Sequence, residues 1–337
     1  MNLDRSGPVL CFGEVLLRLG TAAGTRIASC SNLSAHVAGA EANVGALLAQ
    51  LGTEVEMITV LPRSSLGDLC EAELRRVGLG TGNVLRRDGR LGLYFFEPGS
   101  GGGRIVYDRE HSAFIRHADQ TDWPALAAGA RWFHLSGINL ALGEKAANSA
   151  LAATEAMRLA GVPVSFDVNH RSSLWEGRPR ADFDRVRELT SLADVLFASP
   201  ADISRMLGID LQMATREHRR AAAEAAFEAF ESVQFVASTT RSMESALQTL
   251  SARIDSRDLG EETAAAPLGT VIDRIGSGDA FAGAVIDTIL RRAPLDEFAN
   301  RGLAAAVLKH RLHGDRWIGT RAELEAFDPF VTGDIQR

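Results

Sequence analysis

Val271-Ile272-Asp273-Arg274-Ile275-Gly276-Ser277-Gly278-Asp279-Ala280-Phe281-Ala282-Gly283 is the stretch on which the reading of this chain turns. Its apolar start reads as a strand and Gly-Ser-Gly-Asp as a turn. Phe281, Ala284, Val285, Thr288 and Ile289 then recur at helical spacing. A glycine turn that opens a helix leaves backbone N–H groups unpaired at the positive end of the helix dipole. Such a nest attracts anions, phosphate above all. Gly276 and Gly278 allow close approach because they carry no Cβ. Asp279 would repel phosphate in a pure anion site. It makes sense as the group that takes a proton from a hydroxyl attacking phosphorus. The plainer alternative is that Asp279 caps the helix and the glycines form a tight turn.

Outward from that stretch, composition bounds the answer. With 337 residues the chain can bury a large core, as one α/β domain or as a domain with an appendage. Apolar residues make up 46% and charged residues 23%, the ordinary balance of a soluble enzyme. A net charge of −7 with no basic run argues against nucleic acid as a partner. No stretch reaches about 18 uncharged apolar residues, so no membrane span is expected. The first residues lead straight into a strand and lack a signal-peptide layout. Cys11, Cys30 and Cys70 are odd in number and unpatterned, which fits reduced thiols in a cytoplasm.

Along the chain, residues 8–12 read as a buried first strand closed by Gly13-Glu14, and 15–19 alternate weakly. Ala38-Gly39-Ala40-Glu41-Ala42-Asn43 opens a helix whose Val44, Leu47, Leu48 and Leu51 share a face, with Gly52 at its end. Residues 55–60 read as a strand and 66–77 as a helix. Residues 91–96 and 104–109 read as a hairpin joined by a Pro-Gly-Ser-Gly-Gly-Gly run. That run is no phosphate loop, because no Gly-Lys-Ser/Thr follows and no helix begins there. Both tyrosines of the chain, Tyr94 and Tyr107, lie in this hairpin. Tyr107 and Arg109 share a strand face, which suits either an anionic small molecule or solvent.

After the hairpin, strands (131–136, 162–168, 194–199, 234–238) alternate with helices (144–159, 182–192, 200–207, 216–230). A further strand at 245–250 and a last helix over 295–312 close the pattern. This rhythm predicts an α/β fold, a doubly wound and mainly parallel sheet with helices on both faces. Ligands in such folds sit beyond the strand C-termini, where Gly13-Glu14, Ser136-Gly137, Asp167 to Arg171, Ser199 and the Gly276 turn all fall. The scattered histidines suggest no metal site. His310 and His313 read as surface or dipole-facing residues near a helix end.

With these residues in view, the chain resembles the ribokinase (PfkB) family of carbohydrate kinases over nearly its full length. Gly39-Ala40-Glu41-Ala42-Asn43-Val44 entering a helix is one signature. Asp273-Arg274-Ile275-Gly276-Ser277-Gly278-Asp279 is similar to the family's Asp-Thr-x-Gly-Ala-Gly-Asp. Within the family, three further stretches resemble the 2-keto-3-deoxygluconate kinases: Gly92-Leu93-Tyr94 with Val106-Tyr107-Asp108-Arg109, Leu135-Ser136-Gly137-Ile138, and Phe166-Asp167-Val168-Asn169-His170-Arg171 with Leu174-Trp175. Leu308-Lys309-His310 followed by Gly314-Asp315 is similar to some members of that subgroup.

The resemblance implies a single ribokinase-like domain over 1–337, with a small β lid from about 14–37 and 85–113. It implies an ATP- and magnesium-dependent kinase acting on the terminal hydroxyl of 2-keto-3-deoxygluconate. It leaves open a monovalent cation as an additional cofactor and a homodimer through the lid. Asp279 would be the general base, with Gly276, Ser277 and Gly278 at the transferring phosphoryl group. The helix start should keep Asp279 a carboxylate and hence a weak base at rest. Gly39, Asn43, Tyr94, Tyr107, Arg109 and Arg171 would line the sugar pocket. Arg109 and Arg171 would meet the substrate's carboxylate from opposite sides, two arginines for which a neutral sugar has no use. Ser199, Thr240, Arg241 and Ser245, with Gly276 and Gly278, would bind the nucleotide, and Asp202 would hold magnesium through water. Departures from the family pattern gather at this nucleotide end. Arg274 stands where Thr is frequent and Ser199 where Asn is usual, and residues 240–246 lack the usual glycines. His170 replaces a common Tyr, either to retune the pocket or to fill space. The alternatives are a fructokinase- or ribokinase-like enzyme, and a sugar-acid-binding protein on the same scaffold without turnover.

Overall fold

The computed structural model describes residues 1–99, 103–176, 181–211, 215–244 and 247–331. In chain order its strands are β1 (Val9–Phe12), β2 (Leu16–Gly20), β3 (Ser34–Ala38), β4 (Val55–Pro62), β5 (Val84–Arg87), β6 (Leu93–Glu97) and β7 (Arg104–Asp108). They continue as β8 (Trp132–Ser136), β9 (Val164–Asp167), β10 (Val195–Phe197), β11 (Phe235–Glu244), β12 (Leu247–Ser256), β13 (Gly260–Glu262) and β14 (Ala266–Pro267). The main sheet runs β13-β12-β11-β10-β9-β8-β1-β4-β5, with β14 on β12. Its pairs from β5 to β11 are parallel, and β12 closes one side antiparallel. β1, β8 and β10 are buried at every position, as strands covered on both faces must be. This is the mainly parallel, doubly wound sheet that the strand–helix rhythm predicts.

A second sheet, β3-β2-β6-β7, stands apart from the first. The 91–109 hairpin is its β6–β7 pair, in which Tyr94 sits opposite Tyr107. One face carries Leu16, Ala38, Tyr94 and Phe96 in a small apolar cluster. Ile105 and Val106 of β7 remain exposed.

The helix Ser277–Leu290 is buried along almost its whole length, as a helix apolar on all sides must be. It lies between Ala40–Gln50 and Leu295–His310. A Cβ on Gly302 would come 2.6 Å from the Phe281 ring, so Gly302 admits that side chain.

Several local expectations give way to tertiary pairing. Residues 271–276 form no strand. The N–H groups of Ile272 and Asp273 both donate to the His310 carbonyl, at 2.8 and 3.2 Å, so no ladder can propagate. β11 runs to Glu244, well past 238, because β12 pairs with it antiparallel along its length. The helix Leu295–His310 is not the last, since Arg321–Ala326 follows behind a Thr320–Glu323 capping box. His310 is wholly buried rather than on the surface.

Candidate active site

A cavity of about 530 Å³ opens where the C-terminal ends of β1, β8, β9 and β10, with Ala237–Thr239 inside β11, face the second sheet. This is the crevice that the strand order of a doubly wound sheet leaves for a ligand. At its floor the Gly276–Asp279 turn begins the buried helix. Gly276 has φ +81°, and a Cβ there would fall 1.6 Å from the Asp315 carbonyl, so only glycine fits. The space beside the Cα of Gly278 is open. The Ser277 amide makes one long bond to the Arg274 carbonyl, 3.4 Å. The first backbone bond from the following turn is Ala280 N to Gly276 O, 2.9 Å, which leaves the amides of Gly278 and Asp279 without a backbone partner among the described residues. The turn thus presents the anion-binding amides its sequence suggests.

Asp279 is 8% exposed and accepts a 2.7 Å hydrogen bond from Asn43 Nδ2 at Oδ2. Burial raises its pKa to about 7, although Asn43 and the Arg171 charge pull it down. The expectation of an ordinary carboxylate at the helix start gives way, because burial outweighs the Asn43 hydrogen bond and the Arg171 charge that favour the ionised form. Asp167, at the end of β9, is also raised, to about 8, by burial and then by the Asp279 charge. Its oxygens accept from Asn169 N and Nδ2, at 3.0 and 3.2 Å. Asp167 is a cavity residue that the sequence reading placed at a strand end without assigning it a role.

The sugar-side candidates come together. Gly39, Asn43, Tyr94, Tyr107, Arg109 and Arg171 all line the cavity. Their electrostatics differ from expectation. Arg109 is buried and donates from Nε to Glu14 Oε2 at 2.6 Å, so its charge is already answered. Glu14 was not singled out from sequence beyond its strand-end position. Its Oε1, like Oδ1 of Asn43, is buried without a hydrogen-bond partner among the described residues. The Tyr94 hydroxyl donates to Asp315 and is committed to the protein. Arg171 is exposed to the cavity and forms no salt bridge with a carboxylate among the described residues. His170 stacks on Trp175, with ring centroids 6.1 Å apart, while also reaching the cavity wall.

The nucleotide-side candidates are more scattered. Ser199 and Asp202 reach the cavity but satisfy each other: Ser199 Oγ donates to Asp202 Oδ2 at 2.6 Å in a capping box that starts Pro200–Leu207. Ser238, Thr239 and Arg274 line the wall, whereas Thr240 and Arg241 do not. Arg241 Nη2 instead donates to Nε2 of His310 at 2.7 Å, and the other ring nitrogen faces the Ala306 carbonyl. Ser245 lies outside the described residues. No group of three or more His, Cys, Asp or Glu side chains is placed to hold a metal among the described residues.

A model of the pfkB family carbohydrate kinases matches residues 8–317. The chain belongs to that family. As a pfkB kinase it is a phosphotransferase that acts on a carbohydrate. It is 30% identical over 319 residues to a 2-dehydro-3-deoxygalactonokinase of Haloferax volcanii, covering 94% of this chain and 95% of that one. It is 26% identical to a 2-dehydro-3-deoxygluconokinase of Bacillus subtilis, covering 97% and 96%. Among solved structures, the 2-dehydro-3-deoxygluconokinase of Thermotoga maritima superposes with a TM-score of 0.87 at 32% identity, covering 95% of this chain and 98% of that one. The ribokinase-like fold expected from sequence is thereby borne out.

Proposed function

We propose that this pfkB kinase uses ATP to phosphorylate the terminal hydroxyl of a 2-keto-3-deoxy sugar acid, 2-keto-3-deoxygluconate in the first instance. The observation that carries the reading is Arg171, a cavity-facing guanidinium with no salt-bridge partner among the described residues. A sugar carboxylate is the group it can pair with, bidentately if the geometry allows. The named relatives act on such acids, and one is specific by name for the galacto epimer, which is the second reading.

In this scheme Asp279 takes the proton from the attacking hydroxyl. Asn43 holds one Asp279 oxygen and leaves the other for substrate. The amides of Gly278 and Asp279, with Ser277 beside them, receive the charge that spreads over the transferring phosphoryl group. Unpartnered Glu14 Oε1 and Asn43 Oδ1 accept from sugar hydroxyls. Arg109 shapes the pocket through Glu14 rather than meeting the carboxylate itself. The four-stranded sheet closes this end as a lid over a single kinase domain.

Ser238, Thr239 and Arg274 flank the nucleotide's phosphates in this reading. The cavity-facing carboxylates Asp167 and Asp202 are hard oxygen donors suited to magnesium through water, which would supply charge neutralisation at the phosphates. A cytoplasmic location and a homodimer through the lid belong to the same reading.

The test is coupled ADP release with ATP and magnesium on 2-keto-3-deoxygluconate, its galacto epimer, fructose, ribose and gluconate. Turnover confined to the keto-deoxy acids is the expected result. Preference for fructose or ribose would overturn the role given to Arg171. Absence of millimolar ATP binding by calorimetry would leave only the non-catalytic sugar-acid-binding alternative.

A further inference from the structure

One buried charge has no part in the scheme above. Lys309, near the end of the helix Leu295–His310, is 0% exposed. Its Nζ donates to two backbone carbonyls, Asp273 at 3.3 Å and Leu312 at 3.2 Å. Both carbonyls belong to segments that build the phosphoryl turn. Asp273 accepts from Ile275 N at 3.0 Å through Oδ1 and so shapes the approach to Gly276. Leu312 leads to Asp315, whose carbonyl is the wall against which Gly276 packs. Arg18, from the second sheet, reaches the same place. Its Nη1 lies 2.6 Å from Asp273 Oδ2 and 2.7 Å from Asp315 Oδ1.

Lys309 brings a second cation to this cluster: burial lowers its pKa, while the charges of Asp273, Asp315 and Asp279 pull it back up. Asp273 and Asp315 bring two negative charges into a dry site, and Arg18 answers one of them. The Lys309 ammonium is held by main-chain carbonyls in the way a small monovalent cation would be held, but on a covalent tether. Family resemblance leaves open a free monovalent cation, and these carbonyls are already occupied.

We propose that the Lys309 ammonium is a built-in cation that fixes the phosphoryl-binding turn against the Leu312–Asp315 segment, so that this kinase works without a free monovalent cation. Lys309 is a positioning residue and touches no substrate. The proposal rests on the kinase reading for its activity arm alone.

Two measurements test it. First, wild-type kcat and melting temperature are followed as choline chloride is replaced by potassium or ammonium chloride at constant ionic strength. Both should stay flat, kcat within twofold. A saturable rise of threefold or more in kcat, or a saturable rise in melting temperature, would overturn the proposal. Second, Lys309→Ala should lose at least tenfold in kcat with a smaller change in sugar KM. It should regain at least threefold with ammonium or potassium, but not with choline, and its melting temperature should rise with the same ions. Full activity in the variant, or loss that neither ion recovers, would overturn it. Should the variant not fold, the wild-type series decides alone. Should no sugar be turned over, the kinase reading fails, while the melting series still decides whether an added cation finds a site.

Discussion

The two ends of the cleft are built to different standards. At the end proposed for the sugar, three pairs of polar side chains are bonded to one another, Asn43 to Asp279, Glu14 to Arg109 and Tyr94 to Asp315, while Arg171 stays exposed. Two acceptors there, Glu14 Oε1 and Asn43 Oδ1, are left without partners among the described residues. At the end proposed for the nucleotide, Ser199 and Asp202 cap their own helix, and Arg241 turns to His310. Arg274 faces the cavity in their place. The difference teaches where selectivity resides. A preorganised, desolvated set of donors and acceptors discriminates between ligands, because a wrong ligand leaves buried groups unpaired. An exposed and adaptable wall binds by charge and tolerates sequence change.

The largest effect expected from that contrast is at Asp279. Asp279→Asn should lower kcat by about 100- to 10,000-fold, the usual range for a positioned acid–base group, as read by ADP release. The same change should raise the melting temperature at pH 8. An acid whose folded pKa lies near 7 and whose unfolded pKa is near 3.8 loses folding stability as pH climbs between those values, and asparagine removes that loss. A variant that is inactive and less stable at pH 8 would break the link between burial and base strength.

Next come the two arginines. Arg171→Leu should cost the keto-deoxy acid about 10- to 150-fold in kcat/KM, mostly through KM, matching roughly 1.5–3 kcal/mol for a charged hydrogen-bonded pair. Fructose should be little affected. Arg109→Leu should instead destabilise the fold by about 3–5 kcal/mol in urea unfolding, because it strands Glu14 as a buried unpaired charge. Reversal of the two outcomes would exchange the roles assigned to them.

A smaller effect should appear in the pH profile. Since Asp279 accepts a proton only when ionised, kcat/KM should fall about tenfold per unit as pH drops below about 7, and level off above it. A plateau that persists to pH 5 would show an ordinary carboxylate. The smallest is at the nucleotide wall. Arg274→Ala should raise the ATP KM by roughly tenfold and Arg241→Ala by less than about threefold, since only Arg274 lines the cavity. Equal effects would extend the nucleotide site outward to Arg241.

How much of this was legible follows the same division. The Gly276–Asp279 turn, the Gly39–Asn43 helix start and the tyrosine hairpin are local features whose residue types state their geometry, and the structure brings all of them to one cavity. The end of β9 was visible as a strand end. That Asp167 would share a cavity with Asp279 and feel its charge was not, because 112 residues separate them in the chain (279 minus 167). Glu14 was marked only as a strand end and Asp315 only by its likeness to some members of the subgroup, and their importance lies in what they meet: Arg109 in one case, Arg18, Tyr94 and the Gly276 turn in the other.

The sequence by itself therefore determined the alternation of strands and helices, the crevice in which a ligand would sit, and the chemistry of its floor. These follow from hydrophobic period and turn composition, which act over a few residues. The tertiary structure alone decided which charges are free to act. It paired Arg109 and left Arg171 without a salt bridge among the described residues, raised Asp279 by burying it, turned Arg241 aside, and set Lys309 between two carbonyls. Each of those outcomes depends on burial and on partners brought from distant parts of the chain, and burial is a property that no residue has until the chain has folded.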